Sequence, residues 1–296
     1  MLKNIAIVTV MVESLEITEL VYQNELSYKL IHRGNVSDKM ASGWDAKNVA
    51  GRPFILMGPA NNEAVYLRFI ESENFDRNFR SLKTYGWNAI EILVKDTEQL
   101  FLKLKDSQYF RIVGEPVYIS DEKSIKAMQV LGPSNELIYF TSIEKPEKTG
   151  LTIEGASAEI DRIFIMILGV DNIESLRRYY SEKFNIITSD PAPFRIRTLS
   201  NEHGLPIETK YPLSIATLSE KSLIEIDEYP KASVYRENMA NELPPGIAMV
   251  SFYVDSIPNT LPFISPVTAD EELPYNKRKS AVIRGPVGEL IEIIET

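Results

Sequence analysis

Four nearly continuous apolar stretches, Ile5–Val12, Ala89–Val94, Ile163–Val170 and Ile247–Val254, punctuate the chain. Runs of this length, rich in β-branched residues and bounded by polar clusters, predict buried strands. Each runs into a helix-start signal: Glu13-Ser14-Leu15, Lys95-Asp96-Thr97, Asp171-Asn172-Ile173 and Asp255-Ser256-Ile257. Ser, Asp or Asn there can accept the free N–H groups of a first helical turn. Asp96 with Gln99, and Asp171 with Glu174, have capping-box spacing. Ile173, Leu176, Tyr180 and Phe184 share one helical face, as a helix packed on a sheet requires. The fourth start is followed by Pro258 and Pro262, which leave little room for a helix.

A second pattern repeats in register with the first. Gly58-Pro59-Ala60-Asn61-Asn62-Glu63-Ala64-Val65-Tyr66-Leu67 recurs as Gly132-Pro133-Ser134-Asn135-Glu136-Leu137-Ile138-Tyr139-Phe140 and as Gly285-Pro286-Val287-Gly288-Glu289-Leu290-Ile291-Glu292-Ile293. Each copy follows an apolar run and reads as strand, Gly/Pro/Asn turn, strand. A weaker copy joins Ile215–Leu218 to Leu223–Asp227 through Ser219-Glu220-Lys221-Ser222. Self-similarity of this kind predicts a repeat of one supersecondary unit, here strand, helix, strand, hairpin. The fold class expected is α+β, with four βαβββ modules paired into two cup-shaped mixed-sheet domains. Sequential pairing gives domains at 1–144 and 160–296, joined by a linker at 145–159 whose stretch Lys145–Ser157 is charged and contains Gly.

Composition narrows the partners. A chain of 296 residues, 44% hydrophobic and 25% charged, has material for a substantial core. A net charge of −10 with scattered basic residues argues against nucleic acid or an anionic membrane surface. The absence of Cys removes disulfides, thiolate metal sites and Cys nucleophiles. Met1-Leu2-Lys3-Asn4 leads straight into a strand pattern and no apolar run reaches about 18 residues, so a cytoplasmic protein is expected. A homodimer is compatible with all of this.

The helix-start patterns Val12-Glu13-Ser14-Leu15, Val94-Lys95-Asp96-Thr97, Val170-Asp171-Asn172-Ile173 and Val254-Asp255-Ser256-Ile257, taken with the hairpins, make the chain resemble the vicinal oxygen chelate superfamily of glyoxalases, bleomycin resistance proteins and extradiol dioxygenases. The four-module arrangement is similar to that of the dioxygenases. The resemblance implies that paired modules curl into a cup holding a metal ion or a ligand. It places first-strand metal ligands at Ile7, Ala89, Ile165 and Met249, and last-strand ligands at Tyr66, Tyr139, Glu225 and Glu292. Four apolar side chains at the first set leave only two carboxylates, so neither a cofactor nor a family-type metal site is expected. Glu225 and Glu292 together would hold at most a hard divalent cation, weakly.

Strand alternation supplies the remaining candidates. If Ala89 faces a cup, so does Glu91; if Tyr66 does, so does Arg68. Desolvation of Glu91 would raise its pKa toward the range useful for proton transfer, whereas pairing with Arg68 would leave it structural. Glu225 and Glu292 are expected as neighbours in the C-terminal cup with Ser251 and Tyr253 around them, one of the two carboxyls then holding a proton. Tyr66 and Tyr139 would orient a ligand oxygen or pack as core. His32 lies on the second strand of module one, and Trp44, exposed-looking, sits in the long segment Val36–Gly51, which reads either as a loop able to close over a cup or as a packed surface loop. No nucleophile-elbow, zincin, Walker or Rossmann motif accompanies them. The expected function is a lyase, isomerase or ring-opening enzyme acting without a family-type metal on a small, partly aromatic carbonyl- or hydroxyl-bearing metabolite. Sequestration of a ligand without turnover, as in bleomycin resistance proteins, is the alternative.

Overall fold

The computed structural model describes residues 2–61, 64–119, 122–150, 153–237 and 239–296. Asn62 and Glu63 of the first hairpin turn, and Leu151 and Thr152 of the linker, lie outside them. Module one comprises β1 (Ile5–Val12), α1 (Leu15–Leu26), β2 (Lys29–Asn35), α2 (Asp38–Gly43), β3 (Pro53–Gly58) and β4 (Tyr66–Glu71). Module two comprises β5 (Gly86–Val94), α3 (Thr97–Leu104), β6 (Arg111–Tyr118), β7 (Ile125–Leu131) and β8 (Leu137–Ile143). Module three comprises β9 (Ile160–Val170), α4 (Ile173–Phe184), β10 (Ile187–Thr188), β11 (Ala192–Arg195), α5 (Arg197–Glu202), β12 (Lys210–Thr217) and β13 (Leu223–Glu228). Module four has β14 (Ile247–Val254), β15 (Thr268–Ala269), β16 (Lys279–Arg284) and β17 (Leu290–Glu295), and among its described residues no helix follows β14.

Two curled mixed sheets result. One runs β15-β16-β17-β14-β1-β4-β3-β2, the other β10-β12-β13-β9-β5-β8-β7-β6 with β11 beside β12. The α+β class and the two cups are therefore as expected, but the partners within each cup are not. Modules one and four share the first sheet through β1 and β14, while modules two and three share the second through β5 and β9. Sequential pairing is corrected on this point. All four first strands are similarly apolar, and strand patterning fixes which face is buried without fixing which strand lies alongside.

Local sequence accounts for the helix ends. Ser14 Oγ accepts from the Ile17 amide and Asp96 from the Gln99 amide. On α4 the cap is Asn172, accepting from the Ser175 amide, one residue beyond the expected Asp171. The last residue of a module's final strand reinforces two of these caps: Glu71 accepts from the Leu15 amide and Glu228 from the Ile173 amide, each at 3.0 Å. A carboxylate at a helix N-terminus also complements the helix dipole.

The main core joins the two sheets and their helices in one cluster that includes Ile5, Val8, Val10, Ile90, Ile92, Met166, Leu168 and Phe252. Each such side chain contributes about 1.5–3 kcal/mol of burial. The recurrent hairpin Glu is structural. Glu136 accepts from Tyr22 Oη at 2.8 Å and from the Ser134 amide, and Glu289 accepts from Tyr180 Oη at 3.3 Å and from the Val287 amide. These two clamps tie α1 to module two and α4 to module four, joining one sheet to the other twice. Burial pushes both carboxyls up to about 7.

Candidate functional site

Register decides which side chains meet in each cup, because residues directly paired across strands point to the same face. The first-strand positions Ile7, Ala89, Ile165 and Met249 pair with Tyr66, Leu137, Leu223 and Leu290. Two residues further along, the equivalent last-strand positions are Arg68, Tyr139, Glu225 and Glu292. The expected equivalence of Tyr66 with the other three is corrected to Arg68, because the first hairpin is longer than its counterparts.

In the first cup Arg68 and Glu292 face each other at 3.5 Å with no solvent exposure on either side chain. Arg68 donates to Thr9 Oγ1 from Nε at 3.0 Å and to Tyr275 Oη at 2.7 Å, and its guanidinium lies 4.4 Å from the Trp44 ring centroid. Glu292 accepts from Tyr275 Oη at 2.8 Å, Trp44 Nε1 at 3.2 Å and Ser251 Oγ. The segments carrying Trp44 and Tyr275 thus fill the cup, together with Met40, Val49, Phe54, Leu56 and Met249. Trp44, read from sequence as exposed, is 2% exposed and belongs to this plug. Tyr66 and Tyr253 stay half-buried in the same cup, with Arg278 over the Tyr253 ring. His32, on the edge strand, pairs with Glu272 at 2.8 Å.

The second cup is built differently. Glu91 on β5, Tyr139 and Thr141 on β8, and Glu225 and Asp227 on β13 share its concave face. Glu91 accepts from Thr141 Oγ1 at 2.6 Å, and Tyr139 Oη lies 3.4 Å from Thr198 Oγ1 of α5. Desolvation pushes Glu91 up to about 7, against the Thr141 hydrogen bond. Desolvation, then the charges of Asp227 and Glu91, raise Glu225 well above the carboxylate range. Asp227 is pushed up to about 8 by desolvation and the Glu91 charge, opposed by a hydrogen bond from Glu225. Glu225, the donor in that hydrogen bond, therefore keeps its proton, and the two do not ionise together. Burial also raises the Tyr139 phenol, so it remains a neutral donor. No basic residue contributes to these carboxyl shifts. Asp227 Oδ1 is buried without a hydrogen-bond partner. Glu225, Tyr139, Gln129, Leu213 and Ile215 remain partly exposed, so this face is less covered than that of the first cup.

The two Glu residues expected as neighbours, Glu225 and Glu292, lie in different cups, so they cannot jointly hold a cation. Asp227 was missed, although the alternation Glu225-Ile226-Asp227 puts it on the same face. At the ligand positions the resemblance implied, Glu292 is taken up by Tyr275, Trp44 and Ser251 and faces Arg68, and Ala89 and Ile165 bring no donor to the second cup. Among the described residues no group of three or more His, Cys, Asp or Glu side chains could hold a metal ion. A separate cleft of about 330 Å³ between β5 and the 284–289 hairpin is lined by Tyr85, Trp87, Arg236 and Glu289. Arg236 there spends its donors on backbone carbonyls that include those of Pro245 and Ile247.

Maize glyoxalase I superposes over 99% of this chain and 92% of its own, with a TM-score of 0.62 at 13% identity. A proposed dioxygenase of Bacillus subtilis superposes over 99% of this chain and 85% of its own, with a TM-score of 0.60 at 9% identity. The chain has the vicinal oxygen chelate fold. No family model and no curated protein matches the sequence. A vicinal oxygen chelate scaffold of four modules thus carries one cup closed by its own side chains and one lined with carboxyls.

Proposed function

We propose that the protein is an enzyme of the vicinal oxygen chelate type that moves a proton on a small carbonyl- or hydroxyl-bearing metabolite in the second cup, without a family-type metal. The observation that supports this reading is the convergence of Glu91, Glu225 and Asp227 on one face, with no basic side chain among the described residues acting on their titration. A carboxyl poised near neutral pH works equally as acceptor and donor. Glu91, oriented by Thr141, takes a proton from the carbon beside the substrate carbonyl. Tyr139 donates a hydrogen bond to the oxygen on which charge develops. The proton returns to the neighbouring atom from Glu91, or from the Glu225–Asp227 pair with Glu91 then passing its own proton to that pair, so the net reaction is an isomerisation. Tyr66, Tyr253, His32 and Trp44 take no part, being in the first cup or on its edge strand.

Incubation with a panel of carbonyl and hydroxy metabolites in D2O, followed by proton NMR, tests the reading. The wild type should exchange the carbon-bound proton of its substrate, and Glu91→Gln should lose about a hundredfold or more of that rate. Ser251→Ala in the first cup should retain it. Saturable binding of a panel member with no exchange would instead favour sequestration.

A further inference from the structure

We infer that the second cup takes a ligand bearing an ammonium group on an apolar carbon frame, with the nitrogen seated at Glu225 and Asp227. The inference rests on the reading of this cup as the active site and specifies its substrate class.

The fold's internal symmetry carries the argument. The two helix–hairpin clamps relate module one to three and module two to four. The same relation places Glu225 where Arg68 stands, and Tyr139 where Glu292 stands. In the first cup the protein supplies the cation itself, Arg68 facing Glu292. In the second cup the Arg position holds another acid, and Asp227 lies two residues along the same face. Asp227 is 1% exposed and its Oδ1 has no donor. Leaving a buried carboxylate oxygen without a donor is unfavourable, and a ligand N–H removes that cost.

The walls select the rest of the ligand. Ile215 and Ile167 flank Glu225 across the sheet, and Leu213 flanks Asp227. Ile165 lies beside Glu91. A divalent metal ion needs about six to eight oxygen ligands, which these aliphatic neighbours do not provide. An ammonium group needs only a few acceptors for its three N–H donors, and its carbon frame packs on the isoleucines.

Calorimetric titration of the full chain at pH about 8 with benzylammonium, benzyl alcohol and benzoate tests this. The ammonium probe should bind at least about tenfold tighter than either isostere, and Asp227→Asn and Glu225→Gln should each weaken it at least about tenfold. Both substitutions keep side-chain size and bring in no new charge, so both variants should fold; melting curves check this. Ser251→Ala should bind the probe like wild type, and excess Mg²⁺ should not displace it. Equal affinity for the three probes, no saturable binding of the ammonium below about 10 mM (a Kd weaker than about −3 kcal/mol), loss of binding in Ser251→Ala, or displacement by Mg²⁺ would overturn the inference. Glu91→Gln separates it from proton transfer. If that variant binds the probe but loses exchange, both ideas stand; if wild type exchanges substrate protons but ignores the probe, only this inference falls.

Discussion

Arg68 and Glu292 face each other at 3.5 Å in the middle of the first sheet, both side chains wholly buried. Removing one member of such a pair strands a charge in a low-dielectric interior, which costs about 3–5 kcal/mol. Arg68→Met should therefore lower unfolding free energy in urea by that amount. Arg68→Met combined with Glu292→Leu should recover most of the loss, since two apolar groups leave nothing unpaired. A single variant within about 1 kcal/mol of wild type would mean that the network does not hold the plug.

The repeat, the strand positions and α4 were legible because hydrophobic period and cap chemistry act locally. The pairing of modules was not, since β1, β5, β9 and β14 carry no label for their neighbours. That difference moved Glu225 and Glu292 from one expected cup into two. The exchange of Tyr66 for Arg68 came from extra residues in one hairpin turn, which shift register by two without changing the face. Tyr275 lies in an irregular segment where periodicity gives no signal, and only the fold brings it to Glu292. Glu91 was readable as the one acid among Ile90, Ile92 and Ala89.

Glu136 and Glu289 predict a pH dependence. Their pKa rises from 4.5 to about 7 on folding, so each contributes stability that is fully present below the unfolded value and lost as pH rises through about 7. The change is about 3 kcal/mol per group at most. The melting temperature should fall between pH about 5 and 8, and Glu136→Gln with Glu289→Gln should flatten that fall. An identical slope in the double variant would place the titration elsewhere.

Gly169 lies beside Asp227 in the second sheet. A Cβ there would lie 2.6 Å from Asn88 Nδ2 and 2.7 Å from Tyr229 Cε2. Gly169→Ala should cost about 1–3 kcal/mol through overpacking. It should also lower proton-exchange activity by displacing Asp227, and thermal melts with the D2O assay would detect both. An unchanged melting temperature would mean that Tyr229 and Asn88 yield freely.

The proposed chemistry depends on burial in the second cup shifting its carboxyls to titrate near neutral pH. Carbon-13 NMR of side-chain carboxyls, assigned through Glu91→Gln and Asp227→Asn, measures it directly. Titration should place the Glu91 midpoint at about 7 and that of Asp227 at about 8. Midpoints for both below about pH 5, within the ordinary carboxylate range, would contradict the account.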